Sequence, residues 1–431
     1  MTAPELLLRA AHLLAVLCAA VLVVRAGRLA ARTTRQPEVI GEIVAGLLIG
    51  PALIRLLGPE TFETLLPDAV LDHLKTIAEV GLVLFMVGLA GHLRLGPAGA
   101  RSKRTWWLIA GSFLPALAAG LLLAGWVLLT DDQAARGSAP LASFLLVVAV
   151  SMSITAVPVL ARILDDRGLA DTDTGRTALL AAIVIDCVAW LLLPVAVGLR
   201  SGDISGFLRA AGVLAAGTLV ALAVRALLAT RFSTRACTRF PRAAALLVAL
   251  FAVALAFTMK EHGMTAIVGA VLAGLAVPTR SGQAWQRPVA SVTKVGHALV
   301  PVFFVVSGVT VLTEALGSAS VVLIALTVLL GTAGKALGGY AGARLGRYGR
   351  FDSLRIGTLM NTRGLTELIV LQIGYSTGIL TSTLYLALLV MALATTAMTG
   401  PALLAIDRAE HRRLPDTVAA PGLAPARGNV P

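Results

Sequence analysis

Long apolar runs separated by short polar loops occupy almost the whole chain. Windows of about 19 residues that are apolar enough to cross a bilayer recur along the sequence and leave little length for a soluble domain. The pattern predicts an all-α polytopic membrane protein with about 13 transmembrane helices. The predicted spans are residues 6–24, 39–57, 73–91, 105–129, 140–164, 176–199, 206–229, 242–259, 264–279, 296–313, 319–343, 354–377 and 382–406.

The composition agrees with this class. Apolar residues make up 57% of the chain and charged residues 14%, which excludes an ordinary soluble enzyme. Beyond residue 406 the sequence is rich in proline, alanine and arginine, so we expect 407–431 to be a disordered cytoplasmic tail. Three separated cysteines without CxxC spacing indicate neither a disulfide framework nor a metal site. The first span is too long to be a removed signal peptide and lacks a cleavage site.

The net charge of +13 reflects membrane topology. Of the 36 Lys and Arg residues, 27 fall on one side of the predicted spans, seven on the other and two within spans. Because cytoplasmic loops are enriched in Lys and Arg, we expect the N-terminus outside and the C-terminus in the cytoplasm, as an odd number of spans requires. The charge therefore predicts no nucleic-acid partner. The Ala-, Arg- and Leu-rich composition favours a multi-pass protein of a bacterial plasma membrane.

Asp186 lies where a charge is costly. It is about 12 Å inside the sixth span, in a stretch from 178 to 199 whose other ionisable side chain is Cys187. A carboxylate at that depth costs at least ~2.5 kcal/mol and marks a proton relay, ion site or counter-ion in most membrane proteins. The sequence therefore predicts an ionisable site at the membrane midplane.

Two predicted spans contain residues that interrupt a helix. The fifth span carries Ser153, Thr155 and Pro158 at mid-membrane depth, and the twelfth carries Asn361 and Thr362 at a comparable depth. Unwound backbone is tolerated there only where it is buried in protein or lines a cavity. Interrupted helices in corresponding positions indicate a transporter with inverted repeats, here spans two to six and nine to thirteen, five helices each. Simple proline and glycine kinks are the alternative.

Three further charged residues lie inside predicted spans. Lys335 in the eleventh span could snorkel to the surface, or it could serve as counter-charge to Asp186 or as a proton carrier. Arg363 and Glu367 are four residues apart in the twelfth span, which favours a structural ion pair that holds the broken helix.

The spacing of four residues recurs near the outer side of the third span. Lys75 and Glu79 there are predicted to form a structural pair or to line a vestibule.

Several segments together resemble the cation:proton antiporter-2 family, within the sodium/hydrogen exchanger superfamily. The resemblance extends over residues 36–405, and the segment NTRGLTELIVL is a strong match by itself. The segments that carry it are GEIVAGLLIGP (41–51), AEVGLVLFMVGL (78–89), SITAVPVLARIL (153–164), TAIVGAVLAGLAVP (265–278), PVFFVVSG (301–308), GKALGG (334–339) and NTRGLTELIVL (361–371).

The resemblance implies one transporter domain over residues 1–406. Its mobile core would comprise the spans in 105–199 and 319–406, and a dimerising panel would comprise those in 6–91 and 206–313. It implies two broken helices crossing beside the ion site and a homodimer. As a departure from some relatives, no C-terminal nucleotide-binding domain is expected in this sequence.

By the same resemblance, Asp186 binds the cation and the proton, and Lys335 matches the membrane lysine of the family. The residue before the aspartate, polar in most relatives, is Ile185 here. This leaves the stoichiometry and the cation preference open.

These features favour a secondary antiporter that exchanges Na⁺ or K⁺ for protons by alternating access, with no cofactor and no metal centre. An organic cation or ion-bound metabolite is an alternative substrate, which the apolar Ile185 favours. A non-transporting membrane sensor on the same scaffold is a third hypothesis. No hydrolase, redox or metalloenzyme pattern is present in the sequence, so the chain is not predicted to be an enzyme.

Overall fold

The computed structural model describes residues 3–33, 38–58, 60–61, 64, 67–92, 103–201, 205–278, 284–311 and 319–412, and in this part of the chain all regular structure is helical. The helices are α1 Ala3–Thr33, α2 Glu38–Leu57, α3 Asp68–His92, α4 Lys103–Leu129, α5 Gln133–Arg136, α6 Leu141–Ser153, α7 Val157–Asp166, α8 Asp173–Ser201, α9 Ser205–Leu228, α10 Arg231–Arg239, α11 Pro241–Glu261, α12 Ala266–Ala276, α13 Gln286–Val311, α14 Val321–Thr332, a π-helical turn Ala333–Leu337, α15 Gly338–Leu345, α16 Arg350–Met360, α17 Leu365–Ser376 and α18 Ser382–His411.

Each predicted span coincides with helix, which confirms an all-α membrane fold. Within the described ranges, eight helical segments are long and apolar enough to cross a bilayer. The α12 helix is apolar but has 11 residues, which is short for a crossing. The total of thirteen spans therefore stays a prediction. The eight segments are Ala69–Ala90, Lys103–Leu129, Leu141–Asp166, Asp173–Arg200, Ser205–Leu228, Pro241–Glu261, Val321–Leu345 and Ser382–His411.

The last helix extends beyond the predicted end of the membrane domain at residue 406. The α18 helix continues to His411, because Arg355 of α16 holds Asp407 at 2.8 Å and also pairs with Glu410. The first residues of the predicted disordered tail are thus helical, and residues 413–431 lie outside the described part of the chain.

Both predicted interruptions are present, and they meet. The α6 helix ends at Ser153, the next residues are extended, and α7 begins at Val157 with Pro158 in its first turn, where a missing N–H costs nothing. The second break separates α16 from α17. The Ala156 N–H donates to the carbonyl of Thr362 at 3.2 Å, so unwound backbone of one break bonds unwound backbone of the other.

The helices pack in two groups around these breaks. In the first, α13 lies along α2 and α3, α1 lies along α2, and α12 packs between α3 and α11. In the second, α4 packs against α6 and α15, α6 against α8, and α18 against α14 and α16. The α7 half-helix reaches from the second group to α2 and α3. The predicted division into a moving core and a fixed panel stays a prediction.

Glycines bring α4 and α15 into backbone contact. A Cβ atom added to Gly111 would lie 2.5 Å from Gly342 Cα and 2.8 Å from the carbonyl oxygen of Gly338. Small residues permit such close approach, and membrane helices depend on it because lipid supplies no hydrophobic drive for their association. The Gly125 position on α4 has no atom within 4 Å of the same hypothetical Cβ.

We expect Gly111→Ala to destabilise the protein by about 1–3 kcal/mol, because the new methyl overlaps the α15 backbone. Gly125→Ala adds the same methyl in open space and is expected to be neutral or stabilising by roughly 0.5–1 kcal/mol. Thermal unfolding of both purified variants in one detergent measures the difference. Equal midpoints would refute the close backbone contact.

Candidate functional site

Asp186 is buried at the middle of a long membrane helix. It is the fourteenth residue of the 29-residue α8 helix, and 1% of its surface is exposed. Neither carboxyl oxygen has a hydrogen-bond partner among the described residues. A buried carboxyl group without a partner is costly, so its retention here indicates a ligand that arrives from outside the protein fold.

The immediate neighbours of Asp186 are mostly apolar. Ile185 is 1% exposed, and the indole of Trp190 lies close to the carboxyl group one helical turn along α8. The Trp190 Nε1 atom has no partner in hydrogen-bonding geometry. The site therefore provides one acidic group, and other ligands for a cation would come from backbone, water or the nearby breaks.

Lys335 lies in the π-helical turn between α14 and α15 and is fully buried, so it does not snorkel in this structure. Its Nζ donates to Thr155 Oγ1 at 2.8 Å, and Thr155 Oγ1 donates to the Met360 carbonyl at 3.2 Å. No ion pair joins Lys335 to Asp186 among the described contacts. The lysine thus faces the first break and the C-terminal end of α16, where a cation favours the negative end of the helix dipole.

Arg363 closes the C-terminal end of the other broken helix. Its guanidinium donates to the carbonyls of Ser151, at 3.0 Å, and Met152, at 2.6 Å, which are in the last turn of α6. The same group donates to Glu367 Oε1 at 3.0 Å, and both side chains are fully buried. Carbonyls in a last helical turn have no intrahelical donor, so the Arg363 guanidinium supplies the hydrogen-bond donors that the break removes. The predicted Arg363–Glu367 contact is therefore present.

Thr396 of α18 fixes the second break and was missed in the sequence. The Arg363 N–H donates to Thr396 Oγ1 at 2.9 Å, and the hydroxyl lies 2.8 Å from the Arg363 carbonyl. The threonine pair at 395–396 in an apolar helix was the available signal, but hydroxyls in helices commonly bond their own backbone. The structure shows that the Thr396 hydroxyl bonds the backbone of Arg363, outside its own helix.

The remaining predicted lining residues divide into two kinds. Ser153 Oγ donates to the Val150 carbonyl at 2.8 Å, and Thr362 Oγ1 donates to the Leu359 carbonyl. Other polar atoms near the breaks have no partner among the described residues, and they could ligate a cation or water. These atoms are Ser151 Oγ, Asn361 Oδ1, Thr366 Oγ1 and Glu367 Oε2.

A cavity of about 390 Å³ is lined by Trp190, which lies one helical turn from Asp186 on α8, and Asp186 itself does not line it. It lies between α8 and α17 on one wall and α3, α11, α12 and α13 on the other, and Trp190 forms part of its lining. Glu79 and Lys260 also line it, with Lys260 Nζ 2.6 Å from Glu79 Oε2. The predicted Lys75–Glu79 pair is therefore wrong, since Lys75 contacts Asp72 instead, whereas the vestibule alternative fits Glu79.

Ion pairs close the opposite end between α7 and the first helix group. Arg162, at the far end of α7, lies 3.2 Å from Asp166 and 3.9 Å from Glu38 of α2. His297 Nδ1 of α13 is 3.6 Å from Asp165. The contacts of Arg162 with Glu38 and of His297 with Asp165 were missed because the partners lie more than 100 positions apart in the chain, whereas Arg162 and Asp166 are four residues apart on one helix.

Further ion pairs, one of them with a buried carboxylate, lie at the same closed end. Arg28 of α1 lies 2.6 Å from Glu42, a fully buried carboxylate, and 3.5 Å from Glu38. The α7 half-helix is thus tied to α2 by a chain of charges.

The fold and the site define a polytopic helical membrane protein with a buried acidic centre beside two crossed, broken helices. Residues 16–406 match the family model described as "Sodium/hydrogen exchanger, transmembrane", and the chain belongs to this family. The sequence-based resemblance is confirmed at this level.

Curated relatives and solved structures agree with the family. The chain is 31% identical over 378 residues to the "Na(+)/H(+) antiporter NhaS4" of Synechocystis, covering 85% of this chain and 90% of that one. It is 34% identical over 403 residues to "Cation/H(+) antiporter 17" of Arabidopsis thaliana, of whose length it spans about half. The sodium proton antiporter MjNhaP1 from Methanocaldococcus jannaschii has the same fold, with a TM-score of 0.60 at 17% identity over 94% of this chain and 98% of that chain.

We expect Arg363→Met to cost about 3–5 kcal/mol, because it leaves Glu367 and two α6 carbonyls unpartnered in a dry site. Glu367→Gln keeps an acceptor for Arg363 and is expected to cost less. Thermal unfolding in detergent ranks the variants, with Arg167→Met as the control, since Arg167 is partly exposed and donates to one carbonyl, that of Gly400. An Arg363→Met midpoint equal to that of Arg167→Met would contradict the bridging role.

Proposed function

We propose that this chain is a secondary active antiporter, not an enzyme, that exchanges a monovalent cation, Na⁺ or K⁺, for protons. The observation that carries the proposal is the buried Asp186 carboxyl group with both oxygens unpartnered. Relatives named as Na⁺/H⁺ and cation/H⁺ antiporters support the same reaction class. A third relative, from Saccharomyces cerevisiae, is named as a K⁺/H⁺ antiporter.

Competition at one carboxylate couples the two ions. Protonated Asp186 is neutral and has no charge to hold a cation, whereas the deprotonated form attracts one in a medium of low dielectric. Each ligand therefore displaces the other, and a proton gradient drives the cation uphill. We propose that the polar groups at the breaks complete the cation's coordination: Ser153, Thr155, Asn361 and Thr362, with Pro158 holding the first break open.

The cavity and the ion pairs at opposite ends support alternating access. Access to Trp190 from the Glu79 side, with charge pairs closing the Arg162 side, is what an outward-facing state requires. We propose that the core in 105–199 and 319–406 moves against the panel in 6–91 and 206–313 within one domain, 1–406. Movement would break the Arg162–Glu38 contact and close the outer cavity.

The proposed setting is a bacterial plasma membrane, crossed thirteen times, with the N-terminus outside and the C-terminus in the cytoplasm. Inverted five-helix repeats fit two breaks that meet near the centre of the fold. A homodimer through the panel agrees with the exposed apolar faces of α9, on which Leu208, Leu219 and Leu222 are more than half exposed.

Lys335 supports a one-for-one exchange. Its Nζ donates to Thr155 and forms no ion pair with Asp186 among the described residues, so we assign it to the broken-helix ends rather than to proton transport. If Asp186 alone releases a proton, one cation replaces one proton and no net charge moves. The Arg363–Glu367 pair has the structural role of holding the second break in place.

The other hypotheses are not favoured. Ile185 makes the site more apolar, which suits an organic cation, but the named relatives act on inorganic cations or on cations as a class. A sensor without transport has no need of a buried, unpaired acid beside a cavity.

We expect Asp186→Asn to abolish cation-dependent proton movement while the protein still folds, because the amide cannot exchange a proton for a cation. The assay uses liposomes with an internal pH dye and external Na⁺, K⁺ or Li⁺. Asp131→Asn, in an exposed turn whose positive φ asparagine also adopts, is the matched control and should exchange normally. Exchange that survives in Asp186→Asn would refute the proposal.

We also expect the initial exchange rate to be independent of membrane potential, because one cation is exchanged for one proton. The potential is set with a K⁺ gradient and valinomycin when Na⁺ is transported, or with a thiocyanate gradient when K⁺ is transported. An inside-negative potential that changes the rate severalfold would mean that Lys335 or another group also carries a proton.

A further inference from the structure

A second cavity, of about 440 Å³, lies away from Asp186 and from both broken helices. Its walls come from the end of α9, the short α10 helix, the first half of α11 and the segment that contains Trp285. It shares no lining residue with the cavity beside Trp190. Ion exchange at Asp186 does not account for it.

The α10 helix separates apolar and basic residues around this cavity. Ala236, Cys237 and the flanking Phe240 line the cavity. Arg231 and Arg235 are exposed and lie on the opposite helical face, since positions four apart share a face and positions two apart do not. A short basic helix with one apolar face is typical of helices that lie in the membrane interface.

The depth of the cavity matches one leaflet of a bilayer. Its lining on α11 runs from Ala243 to Phe251, which is about 12 Å of helix. Half of a bilayer's hydrocarbon core is roughly 15 Å thick. The cavity therefore extends from the interface, where α10 lies, to about the membrane midplane, which is the course of an acyl chain.

Two polar features mark the headgroup end. Trp285 lines the cavity and is 5% exposed, yet its Nε1 has no hydrogen-bond partner in the described part of the chain. The Arg239 guanidinium lies 5.6 Å from the ring centroid of Phe240, so a cation is held at the rim. An unpaired buried N–H and a fixed cation both favour an oxygen-rich anionic ligand.

We propose that this cavity binds an anionic phospholipid of the cytoplasmic leaflet, with an acyl chain between α9 and α11 and the phosphate at the cavity rim beside Arg239. The proposal rests on the cytoplasmic location of α10, not on the exchange reaction. Clustered arginines attract anionic headgroups, whereas zwitterionic headgroups gain little. A protein partner would not require a groove that follows the hydrocarbon of one leaflet.

Tryptophan quenching by brominated lipids tests the proposal directly. The purified full chain in detergent receives phosphatidylglycerol or phosphatidylcholine with dibrominated acyl chains, at a few lipids per protein. We expect phosphatidylglycerol to quench more than phosphatidylcholine, and Trp285→Phe to remove most of this difference. Equal quenching by the two lipids, or an undiminished difference in Trp285→Phe, would overturn the proposal.

Two pairs of variants separate the cavity from the surface charge. Ala236→Phe fills the cavity from its exposed side and should abolish the difference, whereas Ala223→Phe, exposed on α9 outside the lining, should keep it. Arg239→Gln should raise the phosphatidylglycerol needed for half-maximal quenching severalfold. The matched variant Arg408→Gln, exposed at the end of α18, should not change it.

The arginine variants keep the test decisive if Ala236→Phe does not fold. Equal losses in Arg239→Gln and Arg408→Gln would mean general surface attraction and would overturn the assigned site. Proton exchange in liposomes, measured separately, reports on Asp186 and is not required for either result.

Discussion

Hydrocarbon supplies no hydrogen bonds, so a helix broken inside a membrane must find partners for its freed backbone groups within the protein. In this chain each break supplies partners for the other. Arg363, from the second break, holds the last carbonyls of α6, and Thr155, from the first, donates to the last carbonyl of α16. Lys335 adds a hydrogen bond to Thr155. The crossing of the two breaks is therefore a condition for unwound backbone at this depth.

Asp186 differs from the paired charges at the breaks. Arg363 and Glu367 are also buried but contact each other, whereas neither Asp186 oxygen has a hydrogen-bond partner among the described residues. Its stability in the fold depends on a proton or a cation, which is the property that an exchanger needs. The cavity lined by Trp190 comes within one helical turn of this group on one side, and Arg162 ties α7 to α2 on the other. One unpaired charge and one open route agree with ligand exchange on one side at a time.

Hydropathy predicted the helical membrane class, and helix-breaking residues predicted both interruptions, because these signals are local in the chain. The position of Asp186 could also be predicted from the sequence, because a single acidic residue stands out in an apolar run. Contacts between distant segments could not be predicted from the sequence. Thr396 bonding at Arg363 and Glu79 pairing with Lys260 depend on how helices pack. The four-residue spacing of Lys75 and Glu79 led to a wrong prediction. Exposed charges four apart gain only a few tenths of a kcal/mol from pairing, so Glu79 pairs instead with a better-placed residue on another helix.

Proton release on cation binding tests the competition at Asp186 most directly, without transport or membrane orientation. Na⁺ or K⁺ is added to the detergent-purified protein in a weakly buffered solution, and the released protons are counted with a pH indicator. The structure predicts up to one proton released per chain as the cation saturates the site, and none from a chain that carries asparagine at position 186. Cation binding measured by radiotracer without any proton release, or proton release that persists without the aspartate, would contradict exchange at this carboxylate.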